Sequence, residues 1–220
     1  PDYGYSPFMN EKFFDDWSHD LKWGIHQARC VVGHNLKVAW NLTRMHSLMP
    51  KESYKTFAHQ IADAIPGAGC DNQRGGWYDM MERTLKDGEE NYRRVWHDRK
   101  AWWQQEQGIL AYYIMAGVYD DKPEYLNYAR EGSAFYNGWF LDYEEGGIYF
   151  NVLANGQPYS LGSERGKGSH SMAGYHSFEL CFLSAVYTNL LVNKQPMDFF
   201  FKPNPHAWPE NKLSAFLLQQ

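Results

Sequence analysis

Five stretches of the chain repeat apolar side chains at three- and four-residue steps, the period of a helix with a buried face. They cover 33–49, 51–65, 101–118, 122–140 and 170–192. The first, third and fifth are strongly apolar and read as inner helices, and the two between them read as outer ones. Pro66-Gly67 sets the expected stop of the second, and Pro123 falls near the first turn of the fourth. Two further stretches alternate with a period of two behind a pair of glycines. DNQRGGWYDMMER at 71–83 and YEEGGIYFNVLAN at 143–155 each predict a short β-hairpin, the second turning at Asn155-Gly156.

The glycine pairs at 75–76 and 146–147 lie 71 positions apart, and polar residues recur near the inner helix starts at a similar interval. His34, Glu106 and His176 are spaced by 72 and 70. A unit of inner helix, outer helix and hairpin, repeated at this period, predicts a mainly α toroid of helical hairpins around a central cleft. A closed ring of six hairpins, an (α/α)6 barrel, needs about twice this length. The expected organisation is therefore half of the barrel over 1–194 and an extended Pro-rich tail over 195–220, with a second chain or a missing segment completing the ring.

Composition narrows the function. Aromatic residues make up 17% and hydrophobic residues 44%, too much apolar surface for a disordered chain. The net charge of -5, without a basic stripe, argues against nucleic acid. Cys30, Cys70 and Cys181 are odd in number and widely spaced, which predicts free thiols in a reducing, cytoplasmic setting. No stretch approaches 18 apolar residues, so no membrane association is expected. Without HExxH, paired metal ligands, a phosphate loop or a nucleophile elbow, no metal or other cofactor is expected.

The candidate chemistry sits where the inner helices begin. RKAWWQQEQGILAYY at 99–113 sets Trp102 and Trp103 beside Gln104, Gln105, Glu106 and Gln107, flat aromatic surface next to dense hydrogen-bonding groups, as a sugar cleft requires. His34 follows Gly33 in the first turn of its helix, where the dipole favours neutral imidazole, the form of a general base. In GSHSMAGYHSFELCFL at 168–183, His170 and His176 lie six apart and cannot share a helix face, so 168–174 reads as loop over the cleft and His176 as the cleft residue. Glu179, one turn on, and Tyr175 are placed to orient it. Two histidines across a cleft suit removal and return of a proton beside a carbonyl through an enediolate. Arg74 and Arg99, near the hairpins, read as surface ion-pair partners, with an anionic ligand as the alternative.

The succession GHNLKVAW, DNQRGGWYD, KAWWQQEQ, an EGG hairpin and GYHSFELC resembles the N-acylglucosamine 2-epimerase superfamily, which includes cellobiose 2-epimerases and mannose isomerases. The resemblance covers most of 31–192 and implies the C-terminal half of an (α/α)6 barrel. It implies catalytic roles for His34 and His176 and a sugar site walled by Trp102 and Trp103. Gln105, Glu106, Gln107, Lys37, Tyr175 and Glu179 then contribute polar groups to a mono- or disaccharide. The chain departs from the pattern in three places. Lys37 stands where the family has a glutamate, Gln107 replaces another with Glu106 one residue early, and the arginine and histidine-bearing helix of the N-terminal half are not in this sequence. The reading that follows is a sugar 2-epimerase or aldose–ketose isomerase. The alternative, motivated by Lys37 and Gln107, is a non-catalytic carbohydrate- or partner-binding module, and a homodimer is an admissible assembly for either.

Overall fold

A computed structural model describes residues 6–24, 28–95, 99–169, 171–198 and 200. His170 and most of the expected tail, 201–220, lie outside the described residues.

The chain order is β1 (Arg29–Val31), α1 (Val32–Leu48), α2 (Glu52–Gly69), β2 (Met80–Glu82), β3 (Arg99–Ala101), α3 (Trp102–Val118), α4 (Glu124–Trp139), β4 (Asn151–Leu153) and α5 (Tyr175–Tyr187). A π-helical turn, Thr188–Val192, continues α5. Helix α2 packs on α1 and α4 on α3, while α3 lies between α1 and α5. Three inner helices and two outer ones thus form an arc of a toroid, as the hydrophobic pattern predicts. Helix α3 is buried on almost every side, from Trp102 to Met115, which explains why its sequence lacks a polar face. The main core joins Leu36 and Trp40 of α1, Ile61 and Ile65 of α2, and Leu110 and Tyr112 of α3. A second cluster sets Trp102 against Phe135, Phe140 and Phe150.

Three expectations are corrected. Helix α2 does not stop at Pro66 but runs on to Gly69. Proline removes the N–H that would bond the carbonyl four residues back, and here the Tyr112 hydroxyl donates to that carbonyl, on Ala62, at 2.7 Å. Helix α5 begins at Tyr175, not at 170 where the apolar period opens, in keeping with the loop read just before His176; Gly168 in that segment has φ +84°.

The glycine pairs do not open local hairpins over 71–83 and 143–155. They close six-residue turns flanked by the bridges Cys70↔Trp77 and Leu141↔Ile148. The strands that follow pair with the strand entering an inner helix, β2 with β1 (Cys30↔Met81) and β4 with β3 (Lys100↔Val152), both antiparallel. All four glycines have positive φ, between 77° and 91°, a region open mainly to glycine. The repeat is deeper than its glycines. Asp71 Oδ1 accepts from the backbone N–H of Gln73 and Arg74, and Asp142 Oδ1 from that of Glu144 and Glu145. A lysine clasps each turn: Lys100 donates to Asp71 Oδ2 (2.9 Å) and the Gly75 carbonyl (2.6 Å). Lys167 donates likewise to Asp142 Oδ2 (2.7 Å) and the Gly146 carbonyl (2.9 Å).

Helix α3 tolerates this closeness through Gly108, where an added Cβ would overlap the buried Trp77 indole at Nε1. Trp77 stacks on Tyr112 at 5.3 Å and cannot retreat without disturbing the core. Gly108→Ala is therefore expected to destabilise the chain by about 1–3 kcal/mol despite alanine's better helix propensity, read as a lower denaturant midpoint.

Candidate active site

The inner helices start without a side-chain cap of their own. In α1 and α3 the first N–H groups are instead satisfied by other segments, which fixes the cleft rim. Val32 N donates to the Asp79 carbonyl (3.3 Å) and Trp102 N to the Phe150 carbonyl (3.0 Å). Gly33 N donates to Gln104 Oε1 at 2.7 Å, and Gln104 Nε2 donates to Asp79. Gln104 is the third residue of α3, as His34 is of α1, so Gln104 and not Glu106 occupies the position matching His34.

These starts surround a cavity of about 380 Å3 whose lining includes His34, Lys37, Trp102, Trp103, Tyr175 and His176. The Trp103 ring lies between the two histidines, 5.0 Å from His34 and 5.6 Å from His176. Trp102 is almost fully buried and turns an edge to His176 at 6.1 Å. His34 Nδ1 meets a carboxylate that the sequence reading missed, Glu11 at 2.9 Å. Glu11 lies 23 positions upstream of His34, in a segment with neither helical nor strand periodicity.

His176 is held by its neighbours. Trp40 Nε1 donates to Gln107 Oε1 (2.9 Å), and Gln107 Nε2 reaches Glu179 Oε2 (2.9 Å) and His176 Nδ1 (3.3 Å). Lys37 Nζ donates to Tyr175 Oη at 3.0 Å and pairs with Glu179 at 3.2 Å. Partial burial, with the positive charge of Lys37, pushes the His176 imidazolium down to about 4 against the pull of Glu179. The ring is therefore neutral at physiological pH.

Gln105 and Glu106 do not line the cavity. Gln105 is a buried clamp whose Oε1 accepts from Trp77 N (2.7 Å) and whose Nε2 donates to the carbonyls of Trp77 and Ala101. Glu106 points to the far side of α3, where the Tyr136 and Ser177 hydroxyls both donate to Oε1 at 2.6 Å. Burial there raises its carboxyl to about 7, although the two hydroxyls act in the opposite direction. Gln107 also stays out of the lining and stands behind His176.

Another wall of the cavity carries Asp79, Arg99, Asn151 and Glu164. Arg99 bonds Asp79 Oδ2 through Nε and Nη2 (2.9 and 2.6 Å) and Glu164 through Nη1 (2.8 Å). Arg99 is thus an ion-pair partner, but within the cavity wall and only 17% exposed. Glu164 lay outside every motif and Asn151 was not singled out within the 143–155 stretch, because the fold brings them to β3 from a loop and from β4. Among the described residues no group of three or more His, Cys, Asp or Glu side chains could hold a metal ion, and no helix is long and apolar enough to cross a membrane.

In sequence comparisons no family model and no curated protein matches the chain. Solved structures do. Cellobiose 2-epimerase from Bacillus thermoamylovorans B4167 superposes with a TM-score of 0.65 at 20% identity, over 83% of this chain and 42% of that one. A D-mannose isomerase gives 0.62 at 19% identity, over 79% and 41%. A family 76 glycoside hydrolase from a bovine Bacteroides thetaiotaomicron strain gives 0.56 at 16%, over 76% and 32%. The chain spans less than half the length of each of these proteins, and a likeness at this identity speaks for architecture alone. It shares the helical-hairpin fold of these solved structures, as a partial (α/α) toroid.

Proposed function

We propose that the chain carries the proton-transfer half of a sugar 2-epimerase or aldose–ketose isomerase site, acting on a mono- or disaccharide through an enediolate. The observation that carries the reading is the pair of imidazoles flanking Trp103 in one cavity. An aldose held against the Trp103 ring would have C1 and C2 within reach of imidazole nitrogens, and loss of the C2 proton is the step common to both reactions. His176 is neutral and the His34 ring is held by the Glu11 carboxylate, an arrangement that suits acid–base chemistry by two imidazoles. Lys37, Tyr175 and Arg99 supply polar edges for hydroxyl groups.

The reading is tested by incubating D-mannose or cellobiose with the complete protein in D2O. Deuterium is expected at C2, and His34→Ala or His176→Ala is expected to slow its incorporation by about 10²–10⁴-fold, the usual weight of a positioned acid or base. Exchange that persists unchanged in both variants removes the assignment.

A further inference from the structure

Epimerisation and isomerisation share the loss of the C2 proton and part at the next step. A 2-epimerase returns a proton to C2 from the opposite face, so a second group must arrive protonated. An aldose–ketose isomerase returns the proton to C1, and a single base suffices when a neutral donor holds the carbonyl oxygen. The protonation state and tautomer of His176 therefore separate the two reactions.

Both are set by side chains around the ring. Indole Nε1–H can only donate, so the atom of Gln107 that it meets at 2.9 Å is the amide oxygen. A carboxylate can only accept, so the Gln107 atom 2.9 Å from Glu179 is the amide nitrogen. Two neighbours of opposite polarity agree on the orientation. That nitrogen, with only hydrogens to offer, lies 3.3 Å from His176 Nδ1. Nδ1 must accept, and the ring proton resides on Nε2. The charged and titratable groups facing the ring are Lys37 and His34 from α1 and Tyr175 and Glu179 from α5, while α3 brings the neutral Gln107. His34 has the reverse polarity. Its Nδ1 faces the Glu11 carboxylate, which leaves the proton on Nδ1 and a lone pair on Nε2.

We propose that the Trp40–Gln107 pair locks His176 as its Nε2–H tautomer, which makes His34 the single base of the site and directs it to aldose–ketose isomerisation, not 2-epimerisation. The proposal rests on the sugar reading above. His34 Nε2 takes the C2 proton, the C2–H electrons form the C1=C2 bond, and the carbonyl pair moves to O1. His176 Nε2–H gives its proton to O1 and takes the one on O2 as C2=O forms. His34 then returns its proton to C1, so both rings end as they began. Gln107 touches no reacting atom and is a positioning residue. A glutamate at 107, as the family pattern has, would accept from Nδ1–H and reverse the tautomer.

Two-bond 1H–15N correlation spectra of the histidine-labelled chain test the lock without any substrate. Protonated Nε2 and bare Nδ1 are expected for His176 between pH 6 and 8, and a ring protonated on Nδ1 overturns the proposal. Gln107→Glu is expected to move the proton to Nδ1 and raise the ring pKa by about 1–3 units; an unaltered spectrum overturns the role of Gln107. With D-mannose in D2O, the ketose is expected as first product, with part of the C2 hydrogen recovered at C1, and the C2 epimer as first product overturns the single-base assignment. Failure of D-mannose and cellobiose alike to exchange removes the sugar reading, whereas the spectrum alone decides the tautomer.

Discussion

Lys100→Met is expected to cost the fold about 3–5 kcal/mol, read as a lower urea midpoint at pH 7, because it leaves one partner of a buried ion pair uncompensated. Lys100 is fully buried on β3, and Asp71 is nearly so. The ammonium also lies 4.3 Å from the Phe135 ring, so methionine retains the packing and removes only the charge and its hydrogen bonds. Burial alone would raise the Asp71 carboxyl, yet hydrogen bonds from Lys100 and Tyr78 hold it down to about 2. The sign of the pH dependence follows. A depressed carboxyl contributes stability that is complete above its ordinary value near 3.8 and is lost as pH falls through about 2. The Lys100→Met chain should lack this acid-side loss, and adding Asp71→Asn should restore part of the midpoint. Lys167→Met breaks the equivalent clasp at the exposed second turn and should move the midpoint little, since solvent screens that pair.

The second large effect has the opposite sign. Glu106 is buried with Oε2 lacking a hydrogen-bond partner, and its carboxyl titrates near 7 instead of 4.5. Between those values the folded chain holds a proton that the unfolded chain has released, so stability falls as pH rises, by about 3 kcal/mol from pH 4.5 to pH 8. Glu106→Gln mimics the protonated form at every pH. Equal stability of the two chains at pH 5 and a clear advantage of the variant at pH 8 is the expected result in denaturant titrations. A parallel decline in both would show that Glu106 is not the group responsible.

The helices were legible in the sequence because a three- to four-residue apolar period depends only on neighbours a turn apart. Strand partners were not. Three residues such as Arg29–Val31 carry no period, and their partner, Met80–Glu82, is chosen by the packing of α1 and α2 between them. The Pro66 stop failed for a related reason, since the hydroxyl that relieves it comes from Tyr112 in another unit. At the site, the spacing led to His34 and His176 because both stand in the first turn of an inner helix. It misplaced Glu106, because one residue along a helix rotates a side chain by ~100°, here from the cleft to Tyr136 and Ser177. Glu11 and Glu164 carried no local signal, and only tertiary structure delivers Glu11 to the His34 ring and Glu164 to the cavity wall.

The helix starts have a further consequence for how the molecule comes apart. Helix α1 borrows its first hydrogen-bond acceptors from Asp79 and from Gln104 of the next unit, and α3 borrows one from Phe150. Asp79 and Phe150 lie in the turn-and-strand segments of the same units, but the Gly33 donor stays open until Gln104 of the next unit is in place, which couples the folding of α1 to that of α3. The amide proton of Gly33 should then exchange in step with the melting of α3.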